Sequence, residues 1–345
     1  MRSRLVLVVC LLLLVATALA GIRYGVADLS YSRILEVVLV ETGLRPEDQT
    51  ALSAQERAII WHIRLPRVLT GALVGAALAL SGALLQGLFR NPMSASPGII
   101  GVSTGGALGA TSAIALGLSS LSLWALPLMA FSGALLSGFL VYALATRHGR
   151  TPLATLLLCG LAMNSITGAL TSLVLSFSVR GWEIGRQILF WLMGDLSNRT
   201  WEHVAMIAPF LAVCAAASAF FPRELNLMMT GEESAMSLGV DTVRTKRLLL
   251  TVAAAAAGAA VAVAGVIGFV GLLVPHIVRL LLGPDHRQLL PASLLAGAVF
   301  LMGMDVLARI LLRSQEIRLG ILTSGLGGPF FLYLILRHRR RAESL

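Results

Sequence analysis

Residues 68–89 read VLTGALVGAALALSGALLQGLF, a run of 22 residues without a charged side chain. A helix needs about 20 apolar residues to cross the hydrocarbon core of a bilayer, so this stretch predicts a transmembrane helix. The whole chain has the same character, because 57% of its 345 residues are hydrophobic. Only 13% are charged, against about 25% in a typical soluble domain. A soluble core of this length cannot bury so much apolar surface, and we conclude that lipid is the solvent.

Further apolar runs predict roughly ten spans in all. The predicted spans are Leu5–Ala20, Val68–Phe89, Pro97–Leu118, Leu121–Ala145, Leu153–Val174, Val204–Phe221, Leu248–Val266, Gly268–Leu282, Leu289–Leu307 and Leu319–Leu336. The expected fold class is an all-α integral membrane protein, with residues 1–345 as a single transmembrane domain. The first run follows Arg2 and Arg4 and also resembles a cleavable signal peptide. Because further spans follow it, we favour an uncleaved first helix.

The net charge of +10 is explained by arginines that flank the spans. Cytoplasmic loops of membrane proteins are enriched in such residues. We place the N-terminus in the cytoplasm, which puts residues 222–247 and the basic tail 337–345 on the same side. The bias toward that side is modest. No soluble basic face is visible in the sequence, so the charge does not indicate a nucleic-acid partner.

An internal similarity suggests that the chain is built from two halves. Gly75–Gly82 resembles Gly258–Gly265, 183 residues later, and Pro92 and Pro275 follow at the same distance. With alternating spans, the two copies run in opposite directions. This pattern is typical of the inverted repeats of transporters. Chance similarity between two helices rich in alanine and glycine is the alternative.

The segment 222–247 is the most informative cytoplasmic stretch. Thr230 can cap a short helix that has Glu232 and Glu233 in its first turn, where negative charge is favourable. Ala235, Met236 and Leu238 give this helix an apolar side, Gly239 can end it, and another short helix precedes it. Such a pair suits docking into a groove of a cytoplasmic partner. A loop lying on the lipid interface is the alternative.

Two further segments carry unusual residues. Residues 90–101 hold two prolines between apolar helices, which predicts either a pore constriction or a plain tight turn. Arg64 and Arg67 share one face at the outer end of the second span. Asp305 and Arg309 have the spacing of an ion pair on one helix. An outer basic rim that meets acidic groups of a partner is the functional alternative to this structural interpretation.

Several kinds of chemistry are excluded or disfavoured. The only lysine, Lys246, follows Thr245, so the chain has no phosphate-binding loop, and ATP-driven transport would need a separate ATPase. Gly101–Gly105 matches Gly-x-Ser-x-Gly, but no strand precedes it, and we reject Ser103 as the nucleophile of a hydrolase. The six histidines and three cysteines lack metal-ligand spacing, so no metal site is predicted.

Taken together, these motifs resemble the FecCD-type permeases of importers for ferric siderophores, heme and cobalamin. The residues that carry the resemblance are Arg64–Val68, Ser81–Gly87, Arg90–Pro92, Pro97–Ser103, Gly231–Gly239, Gly268–His276, Gly283–Arg287 and Leu326–Phe330. The resemblance implies the type II ABC importer permease fold, with ten helices in each subunit of a homodimer. It also implies two cytoplasmic ATPase subunits that bind ATP and Mg²⁺, a periplasmic binding protein, and a location in the bacterial inner membrane. No cofactor is expected on this chain.

The resemblance also assigns roles to individual residues. The ATPase coupling element comprises Glu232, Glu233, Ser234, Ala235, Met236, Leu238 and Gly239. The outer arginines that pair with glutamates of the binding protein are Arg64, Arg67 and Arg309. One gate would lie at Asn91 and Met93. A second would lie at Leu153 and Ala154, where the match to the family is weaker.

The substrate is the least determined feature. Arg180 and Arg186 flank the outer end of the fifth span, where they can attract an anionic iron chelate or the propionates of heme. Interfacial anchoring by these arginines and Trp182 is an equal alternative. We rank heme slightly ahead of ferric siderophores, and cobalamin third. An ion-coupled secondary transporter is the alternative function, with Asp305 as its only plausible intramembrane acid.

Overall fold

The computed structural model describes residues 2–25, 29–46, 52–90, 96–147, 151–178, 182–311 and 316–343, and no β-strand occurs in these ranges. The helices are α1 (Arg2–Arg23), α2 (Tyr31–Glu41), α3 (Ala54–Arg57), α4 (Leu65–Leu88), α5 (Val102–Ala115), α6 (Ala125–Ala145), α7 (Leu153–Ser178), α8 (Trp182–Leu192), α9 (Trp201–Ser218), α10 (Pro222–Met229), α11 (Glu232–Ser237), α12 (Thr242–Ala264), α13 (Val270–Leu282), α14 (His286–Leu311) and α15 (Leu319–Glu343). A π-helix at Ala58–Arg64 joins α3 to α4, and a 3₁₀ turn spans Leu118–Ser120.

Each of the ten predicted spans overlaps one of these helices. Within the described residues, seven helices are long and apolar enough to cross a membrane, namely α1, the continuous helix Ala54–Leu88, α6, α7, α9, α12 and α14. The shorter apolar helices α13 and α15 and the small-residue helix α5 occupy the other three predicted spans. The predicted all-helical membrane fold is therefore confirmed.

Close contacts between glycines place α4 in the centre of the bundle. A Cβ atom on Gly75 would overlap the carbonyl of Gly297 in α14, and a Cβ on Gly297 would overlap the carbonyl of Gly75. Gly82 meets the carbonyl of Gly271 in α13 in the same way. Because lipid supplies no hydrophobic drive between helices, small residues that allow such close approach are a main source of packing energy.

The packing follows the internal repeat. α4 contacts α13 and α14, which contact each other, while α12 contacts α5 and α6, which also contact each other. The two similar glycine- and alanine-rich segments thus lie in equivalent places in their halves. Four predicted spans, which contain α5, α6, α7 and α9, lie between them, and an even number of intervening crossings makes the two segments run in opposite directions, as the inverted repeat predicts.

Three elements were not predicted from the sequence. α2 packs through Ile34 and Val37 against Ile60 of the π-helix, at the end of the bundle where α4 begins. The Trp201 indole donates to the carbonyl of Trp61 over 2.9 Å, which ties the π-helix to α9. α8 is the third such element. It is a short helix that lies between the predicted fifth and sixth spans.

Candidate functional site

The three predicted outer arginines lie at one end of the bundle, where α4 begins and α14 ends. Arg67 Nη2 lies 2.8 Å from Asp305 Oδ1 and 2.9 Å from Glu316 Oε2. Arg309 Nη2 lies 2.9 Å from Asp305 Oδ2, which confirms the ion pair that the sequence predicted. Arg64 donates to the carbonyls of Ile22 and Arg23 at the end of α1, each over 2.7 Å. We call this set, with Glu316, the arginine end.

The guanidinium groups of the arginine end are engaged within the chain. Arg64 and the side chain of Arg309 are each 6% exposed, and the side chain of Arg67 is 11% exposed. Glu316 is the more open member, with 41% of its side chain exposed. Burial alone would raise the pKa of Glu316, but the hydrogen bond and positive charge of Arg67 outweigh it and lower that pKa. The assignment of these arginines to a binding protein stays a prediction.

A wide cleft opens beside the arginine end. Its volume is about 1090 Å³, and it lies between α8, the loop before α9 and the start of α15. The cleft is lined by Glu183, Arg186, Gln187, Phe190, Trp191, Asp195, Ser197, Asn198, Arg199, Glu316, Ile317, Arg318 and Ile321. Of the two arginines predicted to attract substrate, Arg186 lines the cleft, whereas Arg180 lies outside the described residues.

Two arginines in the cleft were not singled out from the sequence. Arg318 pairs with Asp195, and its guanidinium lies over the ring of Phe190 at 4.4 Å from the centroid. Arg199 donates to the carbonyl of Asp195 over 3.3 Å, and its Nε is buried without a hydrogen-bond partner. Burial, with a smaller contribution from the charge of Arg67, lowers the pKa of Arg199 to about 10, so the group stays positive at neutral pH. The cleft therefore combines aromatic surface with three arginines and three acidic side chains.

The short helices α10 and α11 lie at the opposite end, where α4 ends and α14 begins. Leu225 and Met228 of α10 are buried, and Leu225 lies close to Gly87 near the end of α4. Arg67 and Gly87 are 20 residues apart on one helix, which corresponds to about 30 Å at 1.5 Å per residue. The predicted cytoplasmic segment and the predicted outer rim are thus on opposite sides of the bundle. We call the α10–α11 end the coupling end.

α11 has one fixed side and one exposed side. Ala235 is fully buried, and Glu232 forms an ion pair with Lys246 of α12, with Oε2 and Nζ 2.6 Å apart. Glu233, Met236 and Leu238 point away from the bundle, and the two apolar side chains are 44% and 59% exposed. The remaining predicted coupling residues, Ser234 and Gly239, are exposed as well. An apolar and acidic surface is therefore presented outward.

The prediction that Thr230 caps the start of α11 is wrong. Thr230 is the C-cap of α10, and its hydroxyl donates to the carbonyl of Leu227 over 2.8 Å. Gly231 occupies the N-cap of α11, with a φ of +132° that residues other than glycine rarely adopt. The turn between the helices is too tight for the threonine to reach forward. Gly239, with a φ of +85°, follows the C-cap Leu238 as predicted.

A second polar contact fixes α10 to the start of α14. The Asn226 amide nitrogen donates to Asp285 Oδ1 over 2.7 Å, and its oxygen accepts from the backbone N–H of His286 over 2.9 Å. The hydrogen bonds from Asn226 and from the Arg287 backbone lower the pKa of the Asp285 carboxyl. The coupling end is therefore tied to both α12 and α14.

The two predicted gates are described only in part. Asn91 and Met93 lie outside the described residues. Leu153 and Ala154 begin α7, where Leu153 is partly buried against the main core and Ala154 is exposed. Their role as a second gate stays a prediction.

Comparison with known proteins places this geometry in a family. A cobalamin import permease of Halobacterium salinarum is 50% identical over 83% of this chain and 75% of its own length. A hemin transport permease of Yersinia pestis is 39% identical over 99% of this chain and 98% of its own. The solved structure described as a metal-chelate type ABC transporter, in an inward-facing conformation, matches with a TM-score of 0.80 and 34% identity over 95% of this chain and 97% of that one.

The family model itself covers nearly the whole chain. The model described as the FecCD transport family matches residues 11–337, which include both ends of the bundle and the cleft. A vitamin B12 import permease of Klebsiella pneumoniae, 44% identical over 84% of this chain and 86% of its own, agrees with it. This chain therefore belongs to the FecCD transport family and is a multi-pass permease of an ABC importer for metal chelates.

Proposed function

We propose that this chain is the permease subunit of a homodimeric importer in the bacterial inner membrane. Two ATPase subunits would dock on the coupling end, and a periplasmic binding protein would dock on the arginine end. ATP and Mg²⁺ would bind to the ATPase subunits, and this chain would hold no cofactor. The observation that carries the proposal is α11, which presents Glu233, Met236 and Leu238 outward while Glu232 is fixed to a core helix. When a docked partner moves such a helix, the ion pair to the core helix can transmit the movement into the bundle.

For the substrate, we propose a metal tetrapyrrole. Relatives of this chain are named for cobalamin and for hemin, and both cargoes are large metal chelates of this class. The cleft of about 1090 Å³ exceeds ordinary small-molecule pockets, which are roughly 300–1,000 Å³. Phe190 and Trp191 offer aromatic surface to a flat ring, while Arg186 and Arg199 offer positive charge to acidic side groups such as the propionates of heme.

The contacts of Asp305 argue against the alternative function, an ion-coupled secondary transporter. Asp305 pairs with both Arg67 and Arg309 at the arginine end, and its side chain is 3% exposed. An intramembrane carboxylate that carries protons or ions should lie on an open pathway and be able to exchange its partner. Asp305 instead holds two helices together through a buried ion-pair network.

The proposal is tested by uptake into proteoliposomes that contain this chain, its ATPase and its binding protein. Heme, cobalamin and a ferric siderophore are offered separately, and we expect ATP-dependent uptake of a tetrapyrrole. Glu233→Arg should abolish uptake by disturbing the exposed side of α11 without touching Lys246. Glu202→Arg is the matched control, because Glu202 is exposed at the start of α9, on the opposite side of the bundle. Uptake that persists without the ATPase would refute the importer, and uptake of the siderophore alone would refute the tetrapyrrole.

A further inference from the structure

A separate cavity lies at the coupling end between α10, the loop after α11 and the start of α12. Its volume is about 370 Å³, and Phe221, between α9 and α10, completes its wall. The lining residues are Phe221, Arg223, Glu224, Leu227, Leu238, Gly239, Val240, Asp241, Arg244, Thr245 and Leu248. α9 and α12 are both membrane spans, one ending and the other beginning beside the cavity. From this position we infer that the cavity lies at the depth of the lipid headgroups.

The charged side chains of this cavity are not satisfied within the chain. Arg223 and Arg244 are exposed, and in the described part of the chain neither guanidinium pairs with a carboxylate. Glu224 Oε2 is shielded from solvent and lacks a hydrogen-bond partner. Asp241 is already used, because it accepts from the backbone N–H of Arg244 over 2.9 Å as the cap of α12. A buried carboxylate oxygen without a donor is costly, so a ligand that supplies one is favoured.

The sides of the cavity that continue toward the bilayer are apolar. Phe220, two residues beyond the end of α9 and next to the lining residue Phe221, is 80% exposed, and the lining residue Leu248, nearly two turns into α12, is 41% exposed. An aromatic ring so exposed on a membrane protein is expected to face lipid. The cavity therefore has two cations and two carboxylates beside an apolar surface, and one of the carboxylates, Asp241, already caps α12.

We propose that this cavity binds the headgroup of phosphatidylethanolamine. The phosphodiester would accept hydrogen bonds from Arg223 and Arg244, and the primary ammonium would donate to Glu224 Oε2. The acyl chains would lie along Phe220 and Leu248. A zwitterionic headgroup matches the lining better than an anionic one, because two arginines and two acidic residues line the cavity and their formal charges cancel. Leu238 and Gly239 line the cavity and also belong to the proposed coupling surface, so the lipid would bind beside a docked ATPase, and the test below uses this chain without its ATPase.

A comparison with phosphatidylcholine tests whether the ammonium group contributes to binding. It has the same phosphodiester, but its quaternary ammonium carries no N–H and cannot donate to Glu224. Purified, delipidated protein would be mixed with each lipid in detergent, and the bound lipid would be counted by native mass spectrometry. We expect phosphatidylethanolamine to bind more tightly than phosphatidylcholine. Arg223→Gln or Arg244→Gln should each weaken both lipids about fivefold, the value of one cation near a lipid phosphate.

The variants separate the proposed contacts from general attraction to lipid. Glu224→Leu should remove the preference for phosphatidylethanolamine over phosphatidylcholine, because leucine offers the ammonium no acceptor, while leaving phosphodiester binding in place. Arg247→Gln is the matched control, because Arg247 is exposed on α12 at the same depth and does not line the cavity. Equal binding of the two lipids by the unaltered chain would overturn the proposal. So would stronger binding of phosphatidylglycerol, or an equal loss in the Arg247→Gln control. Each variant is accepted only if its melting temperature matches that of the unaltered chain.

Discussion

The ion pair between α11 and α12 should respond very differently to the loss of each partner. Lys246 Nζ lies 2.6 Å from Glu232 Oε2, but the lysine side chain is 5% exposed and the glutamate side chain 30% exposed. Glu232→Gln leaves a buried ammonium without its counter-charge. Lys246→Met leaves a carboxylate that water can reach, and it places an apolar side chain of similar length in the buried site. We therefore expect Glu232→Gln to be the more damaging change.

The size of the difference follows from the burial of each group. Removing one partner of a buried ion pair costs roughly 3–5 kcal/mol, because the other charge stays desolvated. Since water can partly reach the lysine pocket through Glu232, we expect the lower limit, about 3 kcal/mol, for Glu232→Gln. For Lys246→Met, the lost pair is partly screened and the rehydrated glutamate recovers most of its solvation, so the cost should be about 1 kcal/mol.

The assay compares melting temperatures of both variants in one detergent, with Glu233→Gln as a control. Glu233 neighbours Glu232 on α11 but is exposed and outside this ion pair, so its change should leave the melting temperature unaltered. We expect a clear fall for Glu232→Gln and a small one for Lys246→Met. If Lys246→Met destabilised the protein as much as Glu232→Gln, the argument from unequal burial would be refuted.

Three further predictions concern packing, the coupling end and pH. Gly82→Ala should destabilise the folded chain by about 1–3 kcal/mol or more, because its Cβ would overlap the facing backbone. Gly303→Ala, which has open space around it, should be neutral or stabilising by up to about 1 kcal/mol. The melting temperatures of the two variants test this difference. Asn226→Leu should speed hydrogen exchange in α10, by breaking two contacts to the start of α14, and leave exchange in α6 unchanged. The pKa of Glu316 is lowered in the folded state, so its contribution to stability is present above the unfolded value and lost as pH falls below 4.5. Glu316→Gln should flatten the acid limb of the melting-temperature profile, and an unchanged limb would contradict the role assigned to its contact with Arg67.

The membrane spans were predictable because lipid imposes a simple rule. Ten apolar runs gave ten helices, since a chain in hydrocarbon has to satisfy its backbone internally and a helix does so in every span. This rule did not predict α8, because its 11 residues, Trp182–Leu192, are too few to cross the membrane and include Glu183 and Arg186. The cleft was not predicted either, because α8 forms one of its walls. A search for short amphipathic helices between spans would have found the element.

The contacts of the arginine end show the limit of local patterns. Asp305 and Arg309 are four residues apart, so their pairing follows from helical periodicity. Arg67 and Asp305 are 238 residues apart, and only the packing of α4 on α14 brings them together. The sequence identified both arginines but not the buried network that they form. Lys246 is similar, because its partner lies on another helix 14 residues away.

A closely packed pair of helices, α4 and α14, connects the two ends of the bundle. α4 and α14 each begin at one end and finish at the other, and the mutual contact of Gly75 and Gly297 leaves no space between their backbones. Close packing of this kind resists sliding, because any shift drives backbone atoms into contact. α4 and α14 thus act as a rigid strut that connects Arg67 with the coupling end. The spans of α1 and α7 are only 11% and 17% buried within the chain, against 83% for the span that contains α4, so we expect movements that open a pathway to involve such helices rather than α4.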